Sequence, residues 1–174
     1  MFKLLGAPVL AGLLGLGGCA KSASVQASDP ELAAYLQLIQ PQRVEIQRFL
    51  TQPVSFAGDG SADGLEVVLA AYDVSGDLTK IAGTLYIELT SHKVGDTIGN
   101  RLALWPIEIK TERAMQLYRD RLSRYYDFPV QLEQRPLPAG QYVLSVWLNL
   151  PTGARLLDEY EFAYEGTGAP PVKP

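Results

Sequence analysis

Apolar positions change period along this chain. Leu32, Tyr35, Leu36 and Ile39 fall at i, i+3, i+4 and i+7, which sets them on one face of a helix. Ser28-Asp29-Pro30-Glu31 supplies a capping box with proline in the first turn, and Pro41 stops the run. The pattern predicts an amphipathic helix over 29–41, its apolar stripe packed on the body of the protein or docked on a partner or membrane. From Arg43 the period drops to two. Val44 and Ile46 alternate with Glu45 and Gln47, and Leu85, Ile87 and Leu89 oppose Thr84, Glu88 and Thr90. Leu65 to Val74 is apolar on both faces, as a central strand covered from both sides must be. The same alternation marks Phe128 to Leu132, Tyr142 to Leu150 and Leu156 to Tyr164, with Pro151-Thr152-Gly153 as the hairpin turn between the last two.

Two segments depart from this alternation. Leu102 and Leu104 lie in one phase while Trp105, Ile107 and Ile109 lie in the other, and Pro106 sits at the switch. Proline cannot donate to a ladder, so a bulge or an edge strand is expected there. Met115, Tyr118, Leu122 and Tyr125 return to helical spacing, which predicts a helix near 111–126 inserted between strands and shielding one end or face of the sheets. Many strands with little helix between them predict a mainly β fold: a single antiparallel β-sandwich over 42–165. Leu137-Pro138-Ala139-Gly140-Gln141-Tyr142 resembles the tyrosine corner of immunoglobulin-like and fibronectin-like modules. That resemblance implies an immunoglobulin-like sandwich in which the Tyr142 hydroxyl bonds the backbone upstream. Val143 and Trp147 point away from the inward set Tyr142, Leu144 and Val146, so they are buried by the second helix or exposed to a partner. The tail over 166–174, rich in Gly and Pro, is expected to be disordered or extended.

The amino terminus has no periodicity. Lys3 precedes an uncharged, mostly apolar run from Leu4 to Gly18 that is too short and too glycine-rich for a good spanning helix but suits a cleavable export signal. Leu16-Gly17-Gly18-Cys19 resembles the lipobox of bacterial lipoproteins. The resemblance implies removal of residues 1–18 and a diacylglyceryl group on the Cys19 thiol, the side chain with the nucleophilicity to accept it. It also implies a lipidated tether over 19–28 that keeps the folded part at a bacterial membrane. Ala20 stands where an aspartate would retain such a protein in the inner membrane, which favours the outer membrane if the source is diderm. The eight residues from Ala20 to Ala27 reach at most ~28 Å.

Composition narrows the function classes. One cysteine and one histidine in 174 residues make an internal disulfide impossible and disfavour a Cys/His zinc site. Lys and Arg number 15 against 19 Asp and Glu, and losing Lys3 with the leader gives 14 − 19 = −5. Neither nucleic acid nor anionic lipid would be attracted by that charge, so the acyl chains do the anchoring. Asp59-Gly60-Ser61-Ala62-Asp63-Gly64 matches the first half of a calcium loop, with Asp59, Ser61, Asp63 and Glu66 as candidate ligands, but Ala70 stands at the twelfth position. Calcium is therefore a weak expectation beside an acidic loop opening into a strand. His92 follows Ser91 without a convergent partner in the sequence, which leaves no convincing catalytic arrangement. Arg119, Arg121 and Arg124 beside Tyr125 make a candidate partner patch. The expected class is a non-enzymatic binding or structural module of the cell envelope, held to a membrane through Cys19 and meeting an envelope protein. The alternative is a calcium- or small-ligand-binding lipoprotein using the 59–66 loop.

Overall fold

Every segment of alternating period becomes a strand in the computed structural model, which describes residues 30–92, 99–133 and 136–172. The leader, Cys19, the tether and the Ser28-Asp29 end of the capping box lie outside the described residues. The order is α1 (Pro30–Ile39), β1 (Arg43–Ile46), β2 (Gln52–Val54), β3 (Gly64–Tyr72), β4 (Gly83–Ser91), β5 (Arg101–Ile109), α2 (Glu112–Tyr118), β6 (Tyr126–Gln131), β7 (Gly140–Asn149) and β8 (Arg155–Tyr164). All sheet pairings between these strands are antiparallel. In the first sheet β3 is central, with β6 on one side and β1 and β2 sharing the other; the second sheet runs β5-β4-β7-β8.

The inward residues of both sheets fill one core. Leu65, Val67 and Leu69 from β3 meet Leu85, Ile87 and Leu89 from β4 and Leu144, Val146 and Leu148 from β7, all fully buried. β3 is buried on both faces through Ala71, as its unbroken apolar run requires. Along one edge of β3 the partner strand changes where β1 gives way to β2. There the Gln47 N–H donates to the Val68 carbonyl (2.8 Å) and the Thr51 hydroxyl accepts from the Val68 N–H (3.0 Å), completing the ladder across the break. The intervening turn throws Phe49 fully into solvent.

Each open side of the two sheets is latched by one side chain. On the β5/β6 side the Trp105 indole N–H donates to the Gln131 carbonyl (2.9 Å). On the β1/β8 side the Asp158 carboxylate accepts from the Ile46 N–H (2.7 Å). An inward-facing carboxylate on an edge strand also discourages pairing with another chain. Pro106 lies on β5, an edge strand, opposite Tyr86; the register irregularity falls elsewhere, between Leu89 and Thr90.

Three sequence expectations need correction. The helix expected near 111–126 is only Glu112–Tyr118, capped by the Thr111 hydroxyl, which accepts from the Ala114 N–H. Asp120 ends it. Its carboxylate accepts from the N–H groups of Leu122 and Ser123, and Arg124 takes φ 65°, so the chain reverses into β6 and leaves Leu122 95% exposed. Met115 and Tyr118 do pack on the core, with the Tyr118 ring 4.8 Å from that of Phe128. The apolar stripe of α1 packs less than expected, since no residue of that helix is buried and Tyr35, Leu38 and Ile39 are exposed. The tail is ordered through Val172. The Ser55 N–H donates to Pro170 O (2.8 Å), the Ala169 N–H donates to Gly60 O (3.0 Å), and Ala169 is buried. Gly166 and Gly168 at φ 89° and 77° shape a segment whose prolines already favour extended backbone, so a Gly/Pro-rich composition serves order here.

Candidate binding face

The outer face of the second sheet is built by register. Tyr86 on β4 lies opposite Pro106 on β5 and Trp147 on β7, and Trp147 lies opposite Leu157 on β8. Side chains directly opposite in antiparallel strands share a face, so Pro106, Tyr86, Trp147 and Leu157 form an apolar row crossing all four strands. Tyr86 and Trp147 stack with centroids 5.3 Å apart and planes 11° from parallel. Leu157 is 61% exposed, and Leu104 stands exposed in the adjacent row. That row reads Leu104, Glu88, Ser145, Glu159; the row on the other side reads Glu108, Thr84, Asn149, Arg155.

Polar groups on this face are held in place. Arg101 pairs with Glu88, Lys110 with Glu108 at 2.7 Å, the Ser145 hydroxyl donates to Glu159 (3.0 Å), and Arg155 donates to Asn149 (2.9 Å). α2 contacts β5 and β6 and does not cover the face, so the alternative in which a helix buries Trp147 is overturned. An aromatic centre with a charged and hydrogen-bonding surround is the anatomy of a protein interface. Beyond Leu157 the face continues into a groove of about 550 Å³ along the β1/β8 side, lined by Arg43, Arg48, Phe49 and Asp158. A hollow between β2 and β8, walled by Leu65, Tyr160 and Phe162, holds about 200 Å³, below the ~300 Å³ at which drug-sized ligand sites begin.

The chain matches no family model, curated protein or solved structure.

The residues singled out from sequence are distributed differently. The calcium candidates do not converge, and among the described residues no three His, Cys, Asp or Glu side chains form a metal-holding group. Asp59 is a turn residue whose carboxylate accepts from the Ser61 N–H (2.9 Å) and the Ser55 hydroxyl (3.1 Å), bonds that hold its pKa below the usual 3.8. Asp63 is buried and accepts from the Phe56 N–H (2.6 Å). Glu66, the third residue of β3 and opposite Gln52, is also buried and accepts from the Gln52 amide (3.2 Å). Ser61 contributes its backbone N–H to this arrangement. Together these groups tie the loop to β2.

His92 is exposed at the end of β4. Of the arginine patch, Arg119 and Arg121 line one cleft with Lys80 and Glu112, while Arg124 and Tyr125 do not line it. Arg119 is half-buried, its guanidinium 6.0 Å from the centre of the Tyr126 ring. Among the described residues no helix is long and apolar enough to cross a membrane. What the sequence did not reveal is the Pro106–Tyr86–Trp147–Leu157 row; the outward phase of Trp147 was legible, but its neighbours depend on register across four strands.

Proposed function

We propose that this chain is a bacterial cell-envelope lipoprotein, anchored through lipid on Cys19, whose folded part is a non-enzymatic immunoglobulin-like binding module. The uncovered aromatic row on the outer face of the second sheet carries the binding reading. Leu16-Gly17-Gly18-Cys19 supports the anchor. Two features support the fold name. β1, β3 and β6 stand where such modules have strands A, B and E, with β5, β4, β7 and β8 as C′, C, F and G. The Tyr142 hydroxyl at the start of β7 donates to Pro138 O (2.5 Å), the bond of a tyrosine corner.

A module of this kind works by position. A short tether holds the sandwich beside the bilayer, and two or more acyl chains make the attachment stable where one makes it marginal. The outer membrane is the favoured address because Ala20 follows the lipidated residue. The test is expression with the native leader in a diderm host, labelled with a palmitate analogue. Wild-type chain is expected to label and to sediment with membranes, and Cys19→Ala to lose both properties. Equal membrane association of the two forms, with no lipid found by mass spectrometry, would overturn the anchor.

A further inference from the structure

The outer face of the second sheet is laid out so that it complements itself. On β8, Glu159 stands one row to one side of the apolar row and Arg155 one row to the other, with Leu157 between them. Glu159 is held by the Ser145 hydroxyl and Arg155 by the Asn149 amide oxygen; neither has an ion-pair partner among the described residues. A two-fold axis lying along the apolar row would turn a second copy over so that each strand faces its own reversed counterpart. Leu157 then meets Leu157, the Tyr86–Trp147 stack meets its equivalent, and Glu159 of each copy meets Arg155 of the other, twice by symmetry. Ser145 faces Asn149 and Glu88 faces Thr84, so polar groups oppose hydrogen-bonding groups on the three strands β4, β7 and β8, while at the β5 edge Leu104 faces Glu108.

The size of the face is sufficient. Four strands at ~4.8 Å spacing and nine or ten residues at ~3.4 Å give roughly 600 Å² of flat projection. Side-chain relief adds to that, and a standard interface takes ~600–1,000 Å² from each partner. The geometry points to a symmetric homodimer formed face to face through β5-β4-β7-β8. This deepens the binding-module reading above and rests on it for the role of the face.

Sedimentation of the full chain extracted from membranes in detergent tests it. Wild type is expected to form a concentration-dependent dimer, and Glu159→Arg or Arg155→Glu alone to weaken it at least tenfold. An equimolar mixture of those two variants is expected to dimerise again, because both cross-axis contacts become Arg–Glu. In membranes, Leu157→Cys is expected to give a disulfide-linked dimer on mild oxidation, while Thr152→Cys on the β7–β8 turn does not. A monomeric wild type, or single variants that dimerise as well as wild type, overturns the proposal. Dissociation by Glu108→Lys with Glu159→Arg silent would place the axis along the strands and overturn this geometry. Palmitate labelling of the same samples separates the two failures: a lipidated monomer sinks the dimer alone, and an unlabelled dimer sinks the anchor alone.

Discussion

Tyrosine hydroxyls pin loops to this sandwich, and their surroundings differ enough to rank them. The Tyr126 hydroxyl accepts from the Ile81 N–H (2.9 Å) inside the core, and the Tyr164 hydroxyl accepts from the Ala62 N–H (3.0 Å). Tyr142 instead donates to the carbonyl of Pro138, an exposed residue. Removing an acceptor from a buried N–H costs about 1–3 kcal/mol, whereas a carbonyl that water can reach loses only about 0.5–1.5 kcal/mol. Tyr126→Phe is therefore expected to lower the free energy of unfolding more than Tyr142→Phe, read as a larger drop in urea midpoint. Burial raises the pKa of both phenols above the ordinary 10.0. A proton held more tightly in the folded state means that unfolding releases it above pH 10, so stability is full below that value and falls as pH rises further. Equilibrium unfolding between about pH 9 and 11 should show that fall, and Tyr126→Phe should flatten part of it.

At the scale of the element, the two open sides of the sandwich are closed by different chemistry. Trp105→Phe keeps most of the packing and loses a neutral hydrogen bond, an expected cost of about 1 kcal/mol. Asp158→Ala strips a carboxylate from the Ile46 N–H, an expected cost of about 2 kcal/mol. The latches sit on opposite sides and share no partner, so the double variant should show the sum of the two; a clear departure from additivity would mean that the sides are coupled through the core. Gly83 tests the β4–β7 pairing. It takes φ 143°, and a Cβ there would come within 2.2 Å of the Asn149 carbonyl. Backbone carbonyl cannot yield as a side chain can, so Gly83→Ala is expected to destabilise by about 2 kcal/mol or more. Faster amide exchange along β4 and β7 is the accompanying sign.

For the whole molecule, chain ends and sheet register decide more than any one element does. Removing Gly168 to Pro174 should expose the Ser55 N–H and the Gly60 carbonyl and take away the buried Ala169 side chain, lowering the urea midpoint by an amount equivalent to about 1–3 kcal/mol. An unchanged midpoint would mean that the tail is a passenger. Period-two alternation, with one unbroken apolar run for β3 and a broken alternation for β5, identified seven of the eight strands, because a half-buried strand must alternate and a doubly covered one must be apolar throughout. It missed β2, whose three residues are too few to show a period. The stripe through Leu122 and Tyr125 overextended α2 because Asp120 could bond the backbone of its own turn, a competition that helical spacing does not register. The Asp59–Asp63 loop carried oxygen donors at calcium-like spacing, yet the fold turned them toward the N–H groups of Phe56 and Ser61 in the loop after β2. The sequence by itself determined the mainly β architecture and raised the expectations of a Tyr142 hydroxyl bonded to the backbone upstream and of an anchor at Cys19, since these rest on local chemistry and local period. Only the tertiary structure decided that half-buried Tyr86 and Trp147 lie in one outward row with exposed Pro106 and Leu157, with Glu159 and Arg155 on either side of it. Residues on four strands become neighbours through register, and register is set by how the strands pair across the shared core.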